Sequence, residues 1–249
     1  MQPQPPPYDP PALDAFVALA GMRLWTARMA DIGRRAACGP RAGQAIRQRH
    51  ALELAIERLR GTLTRPPSVA ELHAVRLAGD AVTLSRALSA RGRRRLRDGL
   101  RTALAGDGTL VPVFHMLRTA ALQVSRGFSV AFAGLEDDAP YDPLIARGDI
   151  EAEIACEVVS AEEGRLVHRR AWSHLADRVD ADLRAWLVAY PGRYLLKMTL
   201  PQGLVISALA EMHSRIRHLL QTRGRRDDDN RPCCGLTPWR WPGATLTLV

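Results

Sequence analysis

Residues 141–160 have the sequence YDPLIARGDIEAEIACEVVS, and this stretch decides the fold prediction. Two runs in which apolar and polar residues alternate flank the dipeptide Gly148-Asp149. A two-residue turn that begins with glycine, placed between such runs, is typical of a tight β-hairpin. The pattern therefore predicts two antiparallel strands in which Arg147 pairs with Ile150.

Acidic side chains gather on one face of this predicted hairpin. In the expected register Asp142 lies opposite Ala155, and Glu153 and Glu157 are its diagonal neighbours on the same face. Carboxylates held in this way suit a hard divalent cation such as Mg²⁺, so Asp142 and Glu157 are the candidate metal ligands. An ordinary hairpin with one solvated, charged face has the same pattern, and both interpretations stay open. The opposite face is predicted to be core and contains Ile145, Ile150, Ala152, Ile154, Cys156 and Val158.

The segments on either side of the hairpin predict the element order α-β-β-β-α-β. A Ser160/Glu163 capping-box pattern is expected to open the second of these helices, which ends before Pro191-Gly192. A further helix follows the last strand. The remaining expected elements are a helix at 109–126, a strand at 128–135, a strand at 193–200 and the final helix at 204–221.

This order resembles that of the PD-(D/E)XK, or restriction-endonuclease-like, nuclease superfamily over roughly residues 109–221. Tyr141-Asp142 looks like the "PD" site with Tyr in place of Pro, and Glu157 looks like the second acidic position. The resemblance implies that the two acids hold a metal and that a lysine two residues later helps to position or activate water. Val159 occupies that lysine position, so the motif is degenerate.

The absent lysine limits what the resemblance implies about catalysis. Metal-dependent phosphodiester hydrolysis needs an activated water and charge stabilisation at the phosphate, and Val159 supplies neither. The single lysine of the chain, Lys197, lies on the predicted strand that runs beside the motif strand in this fold. Either Lys197 or Arg165 is expected to take the missing role. A lysine on an ordinary strand face and an arginine on a solvated helix face are the alternatives.

The region from 12 to 106 is predicted to be entirely helical and follows a proline-rich, disordered start at 1–11. Within it, Ser68 and Glu71 form a capping box that opens a helix at 69–90, and a helix is expected at 93–104. The densest charge of the chain lies at the start of that last helix. It is predicted either to grip a phosphate backbone or to be a solvated helix start, and it contains Arg91, Arg93, Arg94, Arg95 and Arg97.

The helix dipole disfavours arginines at a helix N-terminus, so an external anion is a further expectation there. The whole chain has a net charge of +9, with the positive charge concentrated in the helical half and the acidic residues in the sheet half. Such a division suits a nuclease, because phosphates would bind the first half and a metal the second.

Four cysteines without CxxC spacing argue against a zinc ribbon and favour a reducing, cytoplasmic location. No apolar stretch reaches the length of a membrane span. In the tail, Trp239-Arg240-Trp241 either stacks on bases or anchors the tail to the protein.

The sequence thus predicts an α/β protein with a helical extension, divided at 1–11, 12–106, 107–222 and 223–249. The leading hypothesis is metal-dependent cleavage of DNA by a nuclease of bacterial type, with Mg²⁺ as the metal. The alternative is a catalytically inactive module of the same fold that binds nucleic acid or a protein partner. A third hypothesis is a structural protein whose basic helices bind an acidic partner. The sequence does not decide the oligomeric state.

Overall fold

The computed structural model describes residues 10–159, 163–200, 203–222 and 233–238. These residues fall into two compact units, one within Met1–Arg34 and Ile46–Val159 and the other within Arg35–Ala45 and Ser160–Val249. Helices and antiparallel strands are both present, as predicted for a mixed α/β chain. The division differs from the expected one, because the segment from 107 to 159 groups with the helices before it.

The helices up to residue 136 are α1 to α8. Pro40–Arg49 begins in the second unit, and a continuous core of the first unit lies between the other helices. At its centre Phe16 contacts the rings of Trp25 and Phe114 edge-on, with centroids 6.1 and 5.7 Å apart. The bounds are α1 (Pro10–Ala20), α2 (Met22–Ala36), α3 (Pro40–Arg49), α4 (Ala51–Arg60), α5 (Val69–Ala87), α6 (Ala90–Leu104), α7 (Val111–Ser125) and α8 (Ala133–Glu136).

The capping box predicted for α5 is confirmed. The Ser68 hydroxyl accepts the Glu71 N–H at 3.3 Å, and the Glu71 carboxylate accepts the Ser68 N–H at 2.8 Å. Each bond satisfies an amide that the first helical turn leaves without a partner, which is why the helix begins at this point.

The hairpin has the predicted register. Strands β1 (Ser129–Ala131), β2 (Leu144–Arg147) and β3 (Ile150–Glu153) form an antiparallel sheet in the order β1-β2-β3. Arg147 pairs with Ile150. Gly148 has a φ of +58°, a left-handed conformation that glycine adopts without steric cost, so the turn needs the residue it has.

The strands are shorter than predicted, and the expected core face is only partly buried. The end of the predicted first strand forms α8 instead, and β3 ends at Glu153 rather than continuing towards residue 160. Ile145 is buried and Cys156 packs against the first core, whereas Ile150 is 55% exposed and Val158 is 46% exposed. Ile150 adjoins the turn. The alternation of apolar and polar residues therefore continues to the tip of the hairpin, where no core residue that the structure describes covers the apolar side chain.

The second unit contains α9 (Arg169–Ala189), β4 (Tyr194–Thr199), α10 (Leu209–Thr222) and β5 (Cys233–Pro238). Its core lies between α9, α10 and β5 and includes Leu175, Ile216 and Cys234. Strand β4 pairs antiparallel with β5 in a separate two-stranded sheet, and Lys197 lies opposite Gly235. The sequence predicts that this strand runs beside the strand that carries Glu157, whereas the structure pairs it with β5.

The capping box expected from Ser160 and Glu163 does not open α9. Ser160 lies outside the described residues, Glu163 lies in a turn, and the helix begins at Arg169. The chain before it is held extended, because the Leu204 N–H donates to the Leu166 carbonyl at 2.9 Å. Among the described helices, none is both long enough and apolar enough to cross a membrane.

Candidate nucleic-acid interface

Asp142 holds the open end of the hairpin together. Its Oδ2 accepts the backbone N–H of Cys156 at 2.6 Å. Its own N–H donates to the Ile154 carbonyl at 2.9 Å, and the Ile154 N–H donates to the Pro143 carbonyl at 3.0 Å. These bonds continue the pairing of the two chain segments beyond the last residues of β2 and β3.

The thiol of Cys156 lies beside the same carboxylate. Burial raises the pKa of Cys156 above its ordinary value, a contact with Thr119 opposes that rise, and the negative charge of Asp142 adds to it. The thiol is therefore held in its protonated form at neutral pH. A neutral thiol and a carboxylate side by side are compatible with a structural role for both.

The metal site expected at Asp142 and Glu157 stays a prediction, and the surroundings of Glu157 are simple. Its side chain is exposed and makes no hydrogen bond or ion pair with any residue the structure describes. Over the same ranges no group of three or more His, Cys, Asp and Glu side chains could hold a metal ion. The Asp142 carboxylate is engaged by a backbone amide and Glu157 is exposed, and we derive no catalytic step through a metal.

The two residues expected to replace the motif lysine belong to the second unit, whereas Asp142 and Glu157 belong to the first. Arg165 is exposed in the segment before α9 rather than on the helix, and Lys197 is exposed on β4. The structure does not bring these four side chains together within one unit.

The basic cluster forms an ordered surface on α6. Arg91, Arg94, Arg97 and Arg101 are all exposed, and their spacing of three or four residues places them on one face of the helix. The opposite face is buried in the first core through Leu96, Leu100, Ala103 and Leu104. We call the four exposed arginines the α6 stripe.

Two arginines of the predicted cluster contact the protein instead. Arg93 donates to the Leu88 carbonyl at 3.2 Å. Arg95 donates to the Leu135 carbonyl at 3.2 Å and forms an ion pair with Asp138 at 2.8 Å. These contacts engage both side chains within the protein, so Arg93 and Arg95 position α6 rather than offer charge to a ligand.

The N-terminus of α6 already has an internal anion, so the external one expected from the sequence is not needed. The Glu136 carboxylate accepts the Ser89 N–H at 2.8 Å and also the Ser89 hydroxyl. That hydroxyl oxygen in turn accepts the Gly92 N–H at 3.1 Å. The Ser89 hydroxyl and then its N–H hold the pKa of Glu136 below its ordinary value, while burial opposes them and the charge of Arg95 assists.

A buried polar network at the other end of α6 was not predicted. Arg28 is 3% exposed and His50 is fully buried. Arg28 Nη1 donates to the Gly106 carbonyl at 2.6 Å, and Nη2 donates to the Gly108 carbonyl and lies 3.2 Å from His50 Nδ1. The ring nitrogen Nδ1 is also 3.4 Å from Glu53 Oε1. The network ties the loop after α6 to α2 and, through His50 and Glu53, to the start of α4.

Comparisons of the chain with protein-family models, with curated proteins and with solved structures found no match.

Proposed function

We propose that this protein binds nucleic acid, with duplex DNA as the first partner to test, through the α6 stripe and without cleaving it. The observation that carries the proposal is the exposure of three arginines that have no described partner. Arg91, Arg94 and Arg97 are exposed and form no ion pair or hydrogen bond within the residues that the structure describes. Their charges are thus available to an anion, and guanidinium groups bind phosphate oxygens in a bidentate manner.

The dimensions of the stripe suit a phosphate backbone. From Arg91 to Arg101 the helix advances ten residues, which corresponds to about 15 Å at roughly 1.5 Å per residue. A DNA strand rises about 3.4 Å per nucleotide along the helix axis, so the stripe follows about four base pairs. Asp98 forms an ion pair with Arg101 at 3.0 Å and offsets one charge, which leaves three cations for phosphates.

The proposal is tested by the salt dependence of binding to a short DNA duplex, measured by fluorescence anisotropy. We expect the triple variant Arg91→Gln, Arg94→Gln, Arg97→Gln to bind more weakly. Its plot of log affinity against log salt should be less steep by roughly 3, since each phosphate contact contributes about 0.9.

The matched control removes the same charge from other exposed arginines of the first unit, through Arg23→Gln, Arg118→Gln and Arg126→Gln. The control should keep most of the slope. If the control lost as much affinity as the stripe variant, binding would depend on net charge and the α6 interface would be excluded.

A restriction-endonuclease-like core with metal-dependent cleavage of DNA is the second proposal, and the order of elements supports it. Apart from the short α8, α7, β1, β2, β3, α9 and β4 follow one another in the order α-β-β-β-α-β. The pairing of β4 with β5 weighs against it. The test incubates plasmid with the protein and Mg²⁺ or Mn²⁺, beside an Asp142→Asn variant that keeps an acceptor for the Cys156 amide.

We expect no cleavage by either protein. Cleavage by the wild-type chain that is lost in Asp142→Asn would replace the binding-only proposal with an active nuclease. An acidic protein partner is the alternative if the wild-type chain fails to bind DNA at low salt. The cytoplasmic location inferred from the cysteine pattern stays a prediction.

A further inference from the structure

A groove runs between α9 and α10 within the second unit, and nothing in the proposed function uses it. The two helices run in the same direction. Asp182 Oδ2 lies 2.7 Å from His213 Nε2, and one turn further along Trp186 Nε1 donates to the Leu220 carbonyl at 3.0 Å. These two bonds hold the helices in register along the floor of the groove.

One end of the groove is rich in hydrogen-bond donors. It has a volume of about 480 Å³, and its lining includes Arg178, His213, Ser214, Arg217 and His218. No acidic side chain of the described residues lines this end. Arg178 is exposed, and within the described ranges it makes no ion pair or hydrogen bond. Asp182 contacts His213 and Arg217 from the adjoining end, whereas the Arg178 guanidinium is left for an anion with several oxygens.

The other end is aromatic. It has a volume of about 310 Å³ and is lined by Trp186 and Tyr190, with Asp182 at its margin. The two rings lie with their centroids 4.9 Å apart, and Tyr194 packs against Trp186 from another side at 4.8 Å. The indole is thus fixed by its neighbours and by its hydrogen bond, so this end offers a rigid aromatic surface.

The two ends adjoin at Arg217 and Gln221, which line both. The volumes of the two ends fall within the range of about 300–1,000 Å³ that is typical of small-molecule sites. Asp182 lies 3.8 Å from Arg217 and also contacts His213, so it positions both side chains at the junction.

We propose that this groove binds a nucleoside phosphate. The phosphate is bound by Arg178 and Arg217 with help from His218, and the base lies against the ring of Tyr190 beside Trp186. An aromatic platform next to guanidinium donors is the arrangement with which proteins hold nucleotide bases and phosphates together. This inference does not depend on the α6 stripe, which belongs to the other unit.

The experiment is isothermal titration of the full chain with adenosine 5′-monophosphate, adenosine and inorganic phosphate. We expect the nucleotide to bind about tenfold more tightly than either fragment, because only it engages both ends. The double variant Arg178→Gln, Arg217→Gln should weaken nucleotide binding by about tenfold or more, since both charged donors are lost. Tyr190→Ala should weaken binding of the nucleotide and leave that of phosphate unchanged.

The matched control is Arg165→Gln, Arg184→Gln, which removes the same charge from exposed positions of the second unit outside the groove. It should bind the nucleotide as the wild-type chain does, and far-ultraviolet circular dichroism should show that all variants are folded. Equal binding by the groove variant and the wild-type chain would overturn the proposal.

The ligand could be a free nucleotide or the phosphorylated end of a nucleic-acid strand. These two are distinguished with the variant Arg91→Gln, Arg94→Gln, Arg97→Gln, in which the α6 stripe no longer contributes to binding. A short 5′-phosphorylated oligothymidylate that binds much more tightly than the mononucleotide identifies the end of a strand as the ligand. Comparable or weaker binding identifies a free nucleotide. Absence of binding by both probes overturns the inference and leaves the proposal for α6 untouched.

Discussion

The carboxylate of Asp142 is a backbone-binding group, and substitution distinguishes that role from metal ligation. Removing an acceptor from a backbone N–H costs about 1–2 kcal/mol, so Asp142→Ala should lower the free energy of unfolding by this amount. Asp142→Asn retains a carbonyl acceptor for the Cys156 amide at the 2.6 Å position and should cost less. Urea denaturation monitored by circular dichroism measures both.

Glu157→Ala is the companion variant, and its unfolding free energy should stay within about 0.5 kcal/mol of the wild-type value because the side chain is exposed. A pair of metal ligands would behave differently. Addition of Mg²⁺ would then stabilise the wild-type chain, and each of Asp142→Ala and Glu157→Ala would abolish that stabilisation. Such a result would support the metal site predicted from the sequence.

Glu71 should make the first unit sensitive to acid. Partial burial raises the pKa of Glu71, but hydrogen bonds from the Ser68 N–H, Arg65, the Ser68 hydroxyl and Arg58 outweigh it and lower the value from 4.5 to about 2. A pKa lowered by folding means that the ionised carboxylate stabilises the folded state. That contribution is complete above the unfolded value and is lost as pH falls from 4.5 towards about 2.

The variant Glu71→Gln should therefore be less stable than the wild-type chain at neutral pH, and the difference should shrink as pH falls through that window. Thermal unfolding at a series of pH values measures it. Glu151→Gln is the control, since Glu151 is exposed on β3 and has no described partner. A constant difference between Glu71→Gln and the wild-type chain at all pH values would contradict the assignment.

At the scale of single elements, α6 depends on the cap that also replaces its expected external anion. Ser89→Ala removes the acceptor for the Gly92 N–H and a donor to Glu136, and an N-cap substitution of this kind costs about 1 kcal/mol. Ser125→Ala is the control, because that hydroxyl bonds only a carbonyl in the exposed last turn of α7. Equal unfolding midpoints for the two variants in urea would show that the cap contributes nothing.

Short-range patterns predicted the elements whose causes are local. The register of the hairpin follows from Gly148, whose positive φ the turn requires, and the start of α5 follows from Ser68 and Glu71, which are three residues apart. The start of α9 was predicted wrongly, because a bond from Leu204 to Leu166 keeps the preceding segment extended. A contact across nearly forty residues leaves no mark in the local pattern.

The sequence predicted that arginines cluster on α6, but it did not predict which of them are exposed. Helical spacing alone groups Arg91, Arg94 and Arg97, yet it does not show which face is buried. Arg95 is withdrawn from the cluster by Leu135 and Asp138, which reach it from a segment some forty residues away. The groove of the second unit was less predictable from the sequence. Its residues are regularly spaced on each helix, but the local pattern does not show that the two helices pack against each other.

At the scale of the whole chain, two cores replace the predicted division at residue 106. Helix α7 was assigned from its sequence to the α/β core, but Phe114 and Leu117 are buried in the first core together with Phe16 and Leu100. The sequence could not show this, because an amphipathic helix presents the same apolar face whichever partner it packs against.

The location of that boundary predicts which fragments fold. A fragment of residues 1–159 keeps the whole first core and should unfold cooperatively in urea. In a fragment of residues 107–222, α7 lacks Phe16 and Leu100, so Phe114 and its neighbours in α7 should lose their protection in hydrogen exchange. Leu100→Ala in the longer fragment should lower its stability by about 2–5 kcal/mol if that fragment retains the native core.

One local change is expected in the 1–159 fragment. Within the second unit, Asp177 accepts the backbone N–H groups of Arg41 and Ala42 at 3.1 and 2.9 Å and so caps the start of α3. Without that carboxylate the first turn of α3 should lose protection in hydrogen exchange while Leu100 and its neighbours in α6 keep theirs. Retained protection of α7 in the 107–222 fragment, or loss of protection throughout α6 in the 1–159 fragment, would instead place the boundary where the sequence predicted it.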